Sequence, residues 1–184
     1  MKLNLTLKGE LVKLAIEAYR KAMMNYEYSH GAVQMFIKIN EDWGAKFSKP
    51  DSYFTQVKHH QTYVNQRRAS RHRLGPLTSG VFKFNYMGQT VYGYITEIVQ
   101  TVTEEEMYFC YQQGAKRNEE ACEVIENLYV LTGFKFSDCH VRNFGRTKDG
   151  KLVCIDFDGV NQSLFPEVVH NLAKLEELRE KQLT

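Results

Sequence analysis

Phe136-Ser137-Asp138-Cys139-His140-Val141-Arg142-Asn143, with Val153-Cys154-Ile155-Asp156-Phe157-Asp158 a short segment beyond it, is the stretch whose reading decides the fold. Asp138 and Asn143 stand five apart, and Asp156 follows Asn143 by thirteen. Between them the sequence predicts a hairpin: one strand over 143–147, a turn at Lys148-Asp149-Gly150, and a return over 151–155. Asp-Gly between two strand-like runs is a strong hairpin turn signal. A hairpin folds the chain back on itself, so Asp156 should come to lie beside Asn143. A carboxylate and an amide oxygen meeting there suit a hard cation such as Mg²⁺, which takes oxygen ligands. Asp138, just upstream, is a separate carboxylate that can serve as a base. The plainer alternatives are a capped turn for Asp138 and Asn143, whose side chains favour such positions, and a satisfied core histidine for His140.

The 184 residues suffice for one domain with its own core. A hydrophobic share of 43% and a charged share of 25% are those of an ordinary globular chain. The net charge of +2 says little, but its distribution says more. No Asp or Glu occurs between Asp51 and Glu97, whereas Lys58, Arg67, Arg68, Arg71, Arg73 and Lys83 fall inside that gap. This is either a solvated basic helix face or a patch that meets an acidic partner or polyphosphate. Cys110, Cys122, Cys139 and Cys154 form no CxxC pair and fit no zinc module. Free thiols and a cytoplasmic location are expected. Met1 to Lys8 carries no hydrophobic leader, and no run is long enough for a membrane span.

Outward from the central stretch, 9–25 reads as an amphipathic helix with Leu11, Leu14, Ala15, Ala18, Ala22 and Met23 inward. Two strands, 33–39 and 43–47, follow around an Asn40-Glu41-Asp42 turn, with Gly31 before them and Lys46 in the second. A glycine and a strand lysine so placed can fold backbone amides over phosphates while an ammonium reaches them. Taken alone, Gly31 reads as an ordinary turn and Lys46 as a surface strand lysine. A basic helix over 53–73 has sparse apolar positions and stops at Leu74-Gly75-Pro76. Strands over 80–86 and 89–99 join at Met87-Gly88, and a short connector leads to helices over 104–114 and 118–132. Pro166 opens a last helix over 167–181, read as one that docks on the core, with a coiled-coil dimerisation helix as the alternative. The order is that of an α+β fold, with strands in the first half and helices in the second.

The motif resembles the protein-kinase-like superfamily. Kinase catalytic loops carry an Asp, an Asn five residues on, a hairpin, and an Asp followed by Phe; here these are Asp138, Asn143, Asp156 and Phe157. The form with His140 and Ile155-Asp156-Phe157-Asp158 looks most like aminoglycoside and choline kinases and the small atypical kinases. Gly31 and Val33 match a shortened glycine-rich loop, Ala45 and Lys46 the alanine and lysine of the third strand, and 96–100 the hinge. The resemblance implies a minimal two-lobed kinase-like fold in one domain. An antiparallel-sheet N-lobe would span residues 1–99 and a reduced helical C-lobe residues 100–184. It implies ATP and Mg²⁺ as cofactors. Lys46 would contact the α- and β-phosphates, Asn143 and Asp156 would hold the metal, and Asp138 would orient or deprotonate the acceptor hydroxyl. His140 would stand near the γ-phosphate, and the backbone of Glu97 and Val99 would bond adenine.

Departures from the pattern shape the expected function. Phe136 and Ser137 replace the usual His-Arg, and Asp158 replaces the glycine after Asp-Phe. The 53–73 helix offers Lys46 no acid, only Gln56, Gln61 or Gln66. With few residues after Asp158, no helical acceptor platform is expected, as in the minimal kinases of bacteriophages and bacterial effectors acting in a host cytosol. The reading is an ATP- and Mg-dependent phosphotransferase with a protein serine or threonine acceptor. The alternatives are a pseudokinase or nucleotide-binding interaction module, a nucleic-acid-associated protein using the basic helix, and, less favoured, a small-molecule kinase.

Overall fold

The computed structural model describes residues 5–26, 29–30, 34–49, 53–103, 119–134 and 141–157. The expected helices over 104–114 and 167–181 lie outside them. The fold is α+β, with two antiparallel sheets and three α-helices among the described residues. The chain divides into two compact units, one of residues 1–67 and 77–98 and the other of residues 68–76 and 99–184.

The first unit contains helix α1 (Leu5–Asn25) and strands β1 (Ser29–His30), β2 (Gln34–Lys38), β3 (Trp43–Ser48), β4 (Phe82–Tyr86) and β5 (Gln89–Glu97). It also contains most of helix α2 (Tyr53–Arg71). The five strands pair antiparallel in the order β1-β2-β3-β5-β4. Local chemistry sets the turns. Asn40 Oδ1 accepts from the backbone N–H groups of Asp42 and Trp43, both at 2.9 Å, a side-chain-closed turn that returns β2 into β3. Met87 and Gly88 both take positive φ, 47° and 79°, as the tight turn between β4 and β5 demands.

Helix α1 buries Leu11, Ala15, Tyr19 and Ala22 on one stripe. Tyr19, absent from the expected inward set, is the centre of this core. Its ring lies 4.8 Å from Phe47, 5.2 Å from Phe84 and 5.3 Å from Tyr86, most of these edge to face. Leu14, expected inward, is 45% exposed, because it falls off the stripe that Tyr19 completes.

The second unit contains β6 (Gln100–Thr101), α3 (Glu119–Thr132), a single 3-10 turn (Val141–Asn143), β7 (Phe144–Arg146) and β8 (Leu152–Cys154). The predicted hairpin is β7–β8, with Gly150 at φ 79° in its turn. The connector after β5 is partly a strand: β6 pairs with β7 and makes a three-stranded sheet. Helix α3 places Glu119 and Glu120 in its first turn, the end that favours acids. It buries Ala121, Val124, Ile125, Leu128 and Tyr129 and stops at Gly133, φ 73°. Ala69, Leu74, Phe144, Leu152, Cys154 and Phe157 complete that core. Arg146 bonds Glu120 at 2.8 Å, and Arg73 bonds Asp149 at 2.7 Å.

Candidate functional site

In the first unit the site is built on β3. Lys46 sits in register between Phe36 of β2 and Tyr94 of β5. Of the three glutamines available on α2, Gln66 reaches it: Lys46 Nζ donates to Gln66 Oε1 at 3.3 Å. Gln66 is fully buried and held from two further sides. Its Nε2 donates to Thr96 Oγ1 at 2.7 Å, and the Tyr94 hydroxyl donates to its Oε1 at 3.1 Å. The amide is thereby oriented with oxygen toward the ammonium.

Behind Tyr94 the polar chain continues. The Tyr94 hydroxyl also lies 3.3 Å from Gln34 Oε1, and Gln34 Nε2 lies 3.0 Å from His59 Nδ1. His59 is 1% exposed, and its Nε2 finds no partner among the described residues. Burial, then the Lys46 ammonium, then His60 push its pKa down to about 3, so the ring is neutral at ordinary pH. Neither Gln34, His59 nor Tyr94 stood out in the sequence. The available signal was the weakness of α2 as an apolar helix. Its inward face is His59, Thr62, Tyr63, Asn65, Gln66 and Ala69, polar at helical spacing, while Val57 and Val64 face out.

Ala45 is fully buried beside Lys46. Glu97 ends β5, where its N–H donates to Leu77 O at 2.8 Å and its carboxylate accepts from Leu77 N–H at 3.1 Å. That N–H is therefore committed within the protein.

In the second unit the β7–β8 hairpin does what its sequence predicts. Phe144 pairs with Cys154, and the Ile155 N–H donates to Asn143 O at 2.8 Å, closing one more rung. Asn143 and Asp156 thus emerge at the same open end. Asn143 is buried and Asp156 half-buried. Phe157 anchors the strand's exit in the core; a Cβ on Gly75 would stand 3.0 Å from its ring, so the glycine admits the ring. The two side chains offer oxygen donors only. One carboxylate and one amide oxygen, with phosphate and water oxygens completing the shell, fit Mg²⁺. No cluster of three or more His, Cys, Asp or Glu that could by itself hold a metal ion occurs among the described residues. Val99, in the same unit, packs its side chain against Gly145.

Gly31, Val33, Asp138 and His140 lie outside the described residues. The basic face has internal uses. Arg67 donates to the Tyr63 hydroxyl at 3.1 Å, Arg68 lies over the Phe134 ring at 5.4 Å, and Arg73 holds Asp149. No helix among the described residues is long and apolar enough to cross a membrane.

No family model matches the chain, and no curated protein matches it. Solved structures do. A structure of the bifunctional kinase-methyltransferase WbdD matches over 79% of this chain and 34% of its own, at 14% identity and TM-score 0.45. A second WbdD structure covers 83% and 37% at 13% identity and TM-score 0.45. A co-crystal of WbdD with a kinase inhibitor covers 85% and 37% at 14% identity and TM-score 0.43. The chain spans about a third of the length of these structures.

Proposed function

We propose that the protein is an ATP- and Mg-dependent phosphotransferase that delivers the γ-phosphate to a serine or threonine hydroxyl of a protein. The observation that carries this reading is the emergence of Asn143 and Asp156 at one end of the hairpin, in a sequence that sets Asp138 five residues before the first. Phosphoryl transfer asks for charge neutralisation, an aligned donor and a base near the attacking oxygen. Lys46, held by Gln66, answers the first need at the α- and β-phosphates. Asn143 and Asp156 would hold the metal, which neutralises phosphate charge when bound. Asp138 would take the acceptor proton, and His140 would act near the γ-phosphate. Gly31, Val33 and Ala45 would surround the nucleotide. The backbone of Glu97, through its carbonyl, and that of Val99 would bond adenine. The exposed cations of α2 favour an acidic acceptor protein.

The test is incubation of wild type and Asp156→Ala with labelled ATP, Mg²⁺ and a cell lysate. Label should pass to protein with wild type and fall by several orders with the variant. Equal labelling by both rejects Asp156 as a metal ligand. A second reading, a nucleotide-binding module without transfer, is favoured by one observation: α2 holds Lys46 through a neutral amide rather than a carboxylate. Tight Mg·ATP binding with no labelled product would select it.

A further inference from the structure

We propose that Tyr94, backed by Gln34 and His59, is a positioning residue for Lys46 and acts through Gln66. The role it serves rests on the phosphate-binding reading of Lys46 above. The argument is one of protons. A tyrosine hydroxyl has one to give, and two amide oxygens, Gln66 Oε1 at 3.1 Å and Gln34 Oε1 at 3.3 Å, stand ready to take it. With Gln34 Nε2 toward His59 Nδ1, the imidazole proton must sit on Nε2, where no acceptor occurs among the described residues.

Turning the Gln34 amide over resolves both conflicts. His59 Nδ1–H then donates to Gln34 oxygen, Gln34 nitrogen donates to the Tyr94 oxygen, and Tyr94 gives its single proton to Gln66 Oε1. Gln66 Oε1 has lone pairs for both Tyr94 and Lys46, and Gln66 Nε2 donates onward to Thr96. Every link is satisfied, and His59 keeps a bare lone pair rather than a stranded proton. In such a chain each donor is polarised by the one behind it. His59, Gln66, Tyr94 and Thr96 are buried, Tyr94 and Gln66 completely, and Gln34 is half-buried at the far end of the chain. The chain therefore sets where Gln66 oxygen points, and through it where the ammonium rests.

Tyr94→Phe removes the hydroxyl and keeps the ring, which packs 5.3 Å from His59 and 5.2 Å from Tyr63. The deciding readout is the ¹⁵Nζ resonance of Lys46 without nucleotide, assigned by its loss in Lys46→Arg. Tyr94→Phe should shift it in the wild-type background and leave it still in a Gln66→Leu background. No shift, or the same shift in both backgrounds, overturns the proposal. In parallel, the Kd of a non-hydrolysable ATP analogue with Mg²⁺ should rise about fivefold in Tyr94→Phe, the effect of one lost hydrogen bond. A wild type that binds no nucleotide while the resonance still shifts sinks the kinase reading and upholds the positioning chain. Should Tyr94→Phe fail to fold, Gln34→Met carries the same test one link back: a smaller shift in the same direction is expected, and an unmoved resonance overturns the proposal.

Discussion

At the residue scale, His59 gives the protein a measurable pH signature. Its folded pKa is about 3, well below the ordinary imidazole value of 6.5. Above pH 6.5 the ring is neutral folded or unfolded, and its contribution to stability is complete. As pH falls from 6.5 toward 3, only the unfolded chain takes up the proton, and stability is lost at roughly 1.4 kcal/mol per pH unit. His59→Asn, which can still donate to Gln34, should flatten the stability curve between pH 6.5 and 4 by about one proton, measured by urea unfolding at a series of pH values. An unchanged slope would mean that His59 titrates freely. Such a residue is hard to read in a sequence. Asn143 and Asp156 declare themselves through spacing around a turn, because hairpin geometry is local. His59, Gln34 and Tyr94 come from three elements and meet only through the register of β2, β3 and β5 and the docking of α2.

At the scale of elements, the β7–β8 hairpin is the most legible piece of the chain and the simplest to perturb. Gly150 has φ 79° and nothing within 4 Å of where a Cβ would stand. Gly150→Val therefore meets no clash, only the cost of a left-handed backbone, about 1–2 kcal/mol. Chemical denaturation should show a lower midpoint with an unchanged slope; an unchanged midpoint would mean that the turn relaxes at no cost. Strand–turn–strand order was readable for β2–β3 and β4–β5 because Asn40 and Met87-Gly88 mark the reversals, whereas the two-residue β1 was not expected. Helix α2 was readable as a helix but not as a buried one. Its inward residues are polar, so apolar periodicity carries no trace of the face it presents. Strand β6 was hidden for another reason: two residues are too few for a pattern, and only pairing with β7 makes them a strand.

At the scale of the molecule, nucleotide binding should appear as stability. A ligand that binds only the folded state raises unfolding free energy by about 2.7 kcal/mol at one hundred times its Kd. Mg·ATP should therefore raise the Tm of wild type and of Asp138→Ala alike, while Asp138→Ala loses transfer. Asp156→Ala should lose the Mg-dependent part of that rise. A Tm response lost in Asp138→Ala would give that residue a structural role instead of a base's. The neutral amide on Lys46 has a consequence for the behaviour of the protein in salt. Ion pairs weaken as the Debye length contracts, to about 8 Å at physiological ionic strength and about 3 Å at 1 M. The Gln66 hold on Lys46 involves one charge and a buried dipole, so added salt has little to screen there. Raising ionic strength should then weaken the attraction of incoming phosphates while the Lys46–Gln66 hydrogen bond itself persists, and brine becomes a way to vary capture without breaking that bond.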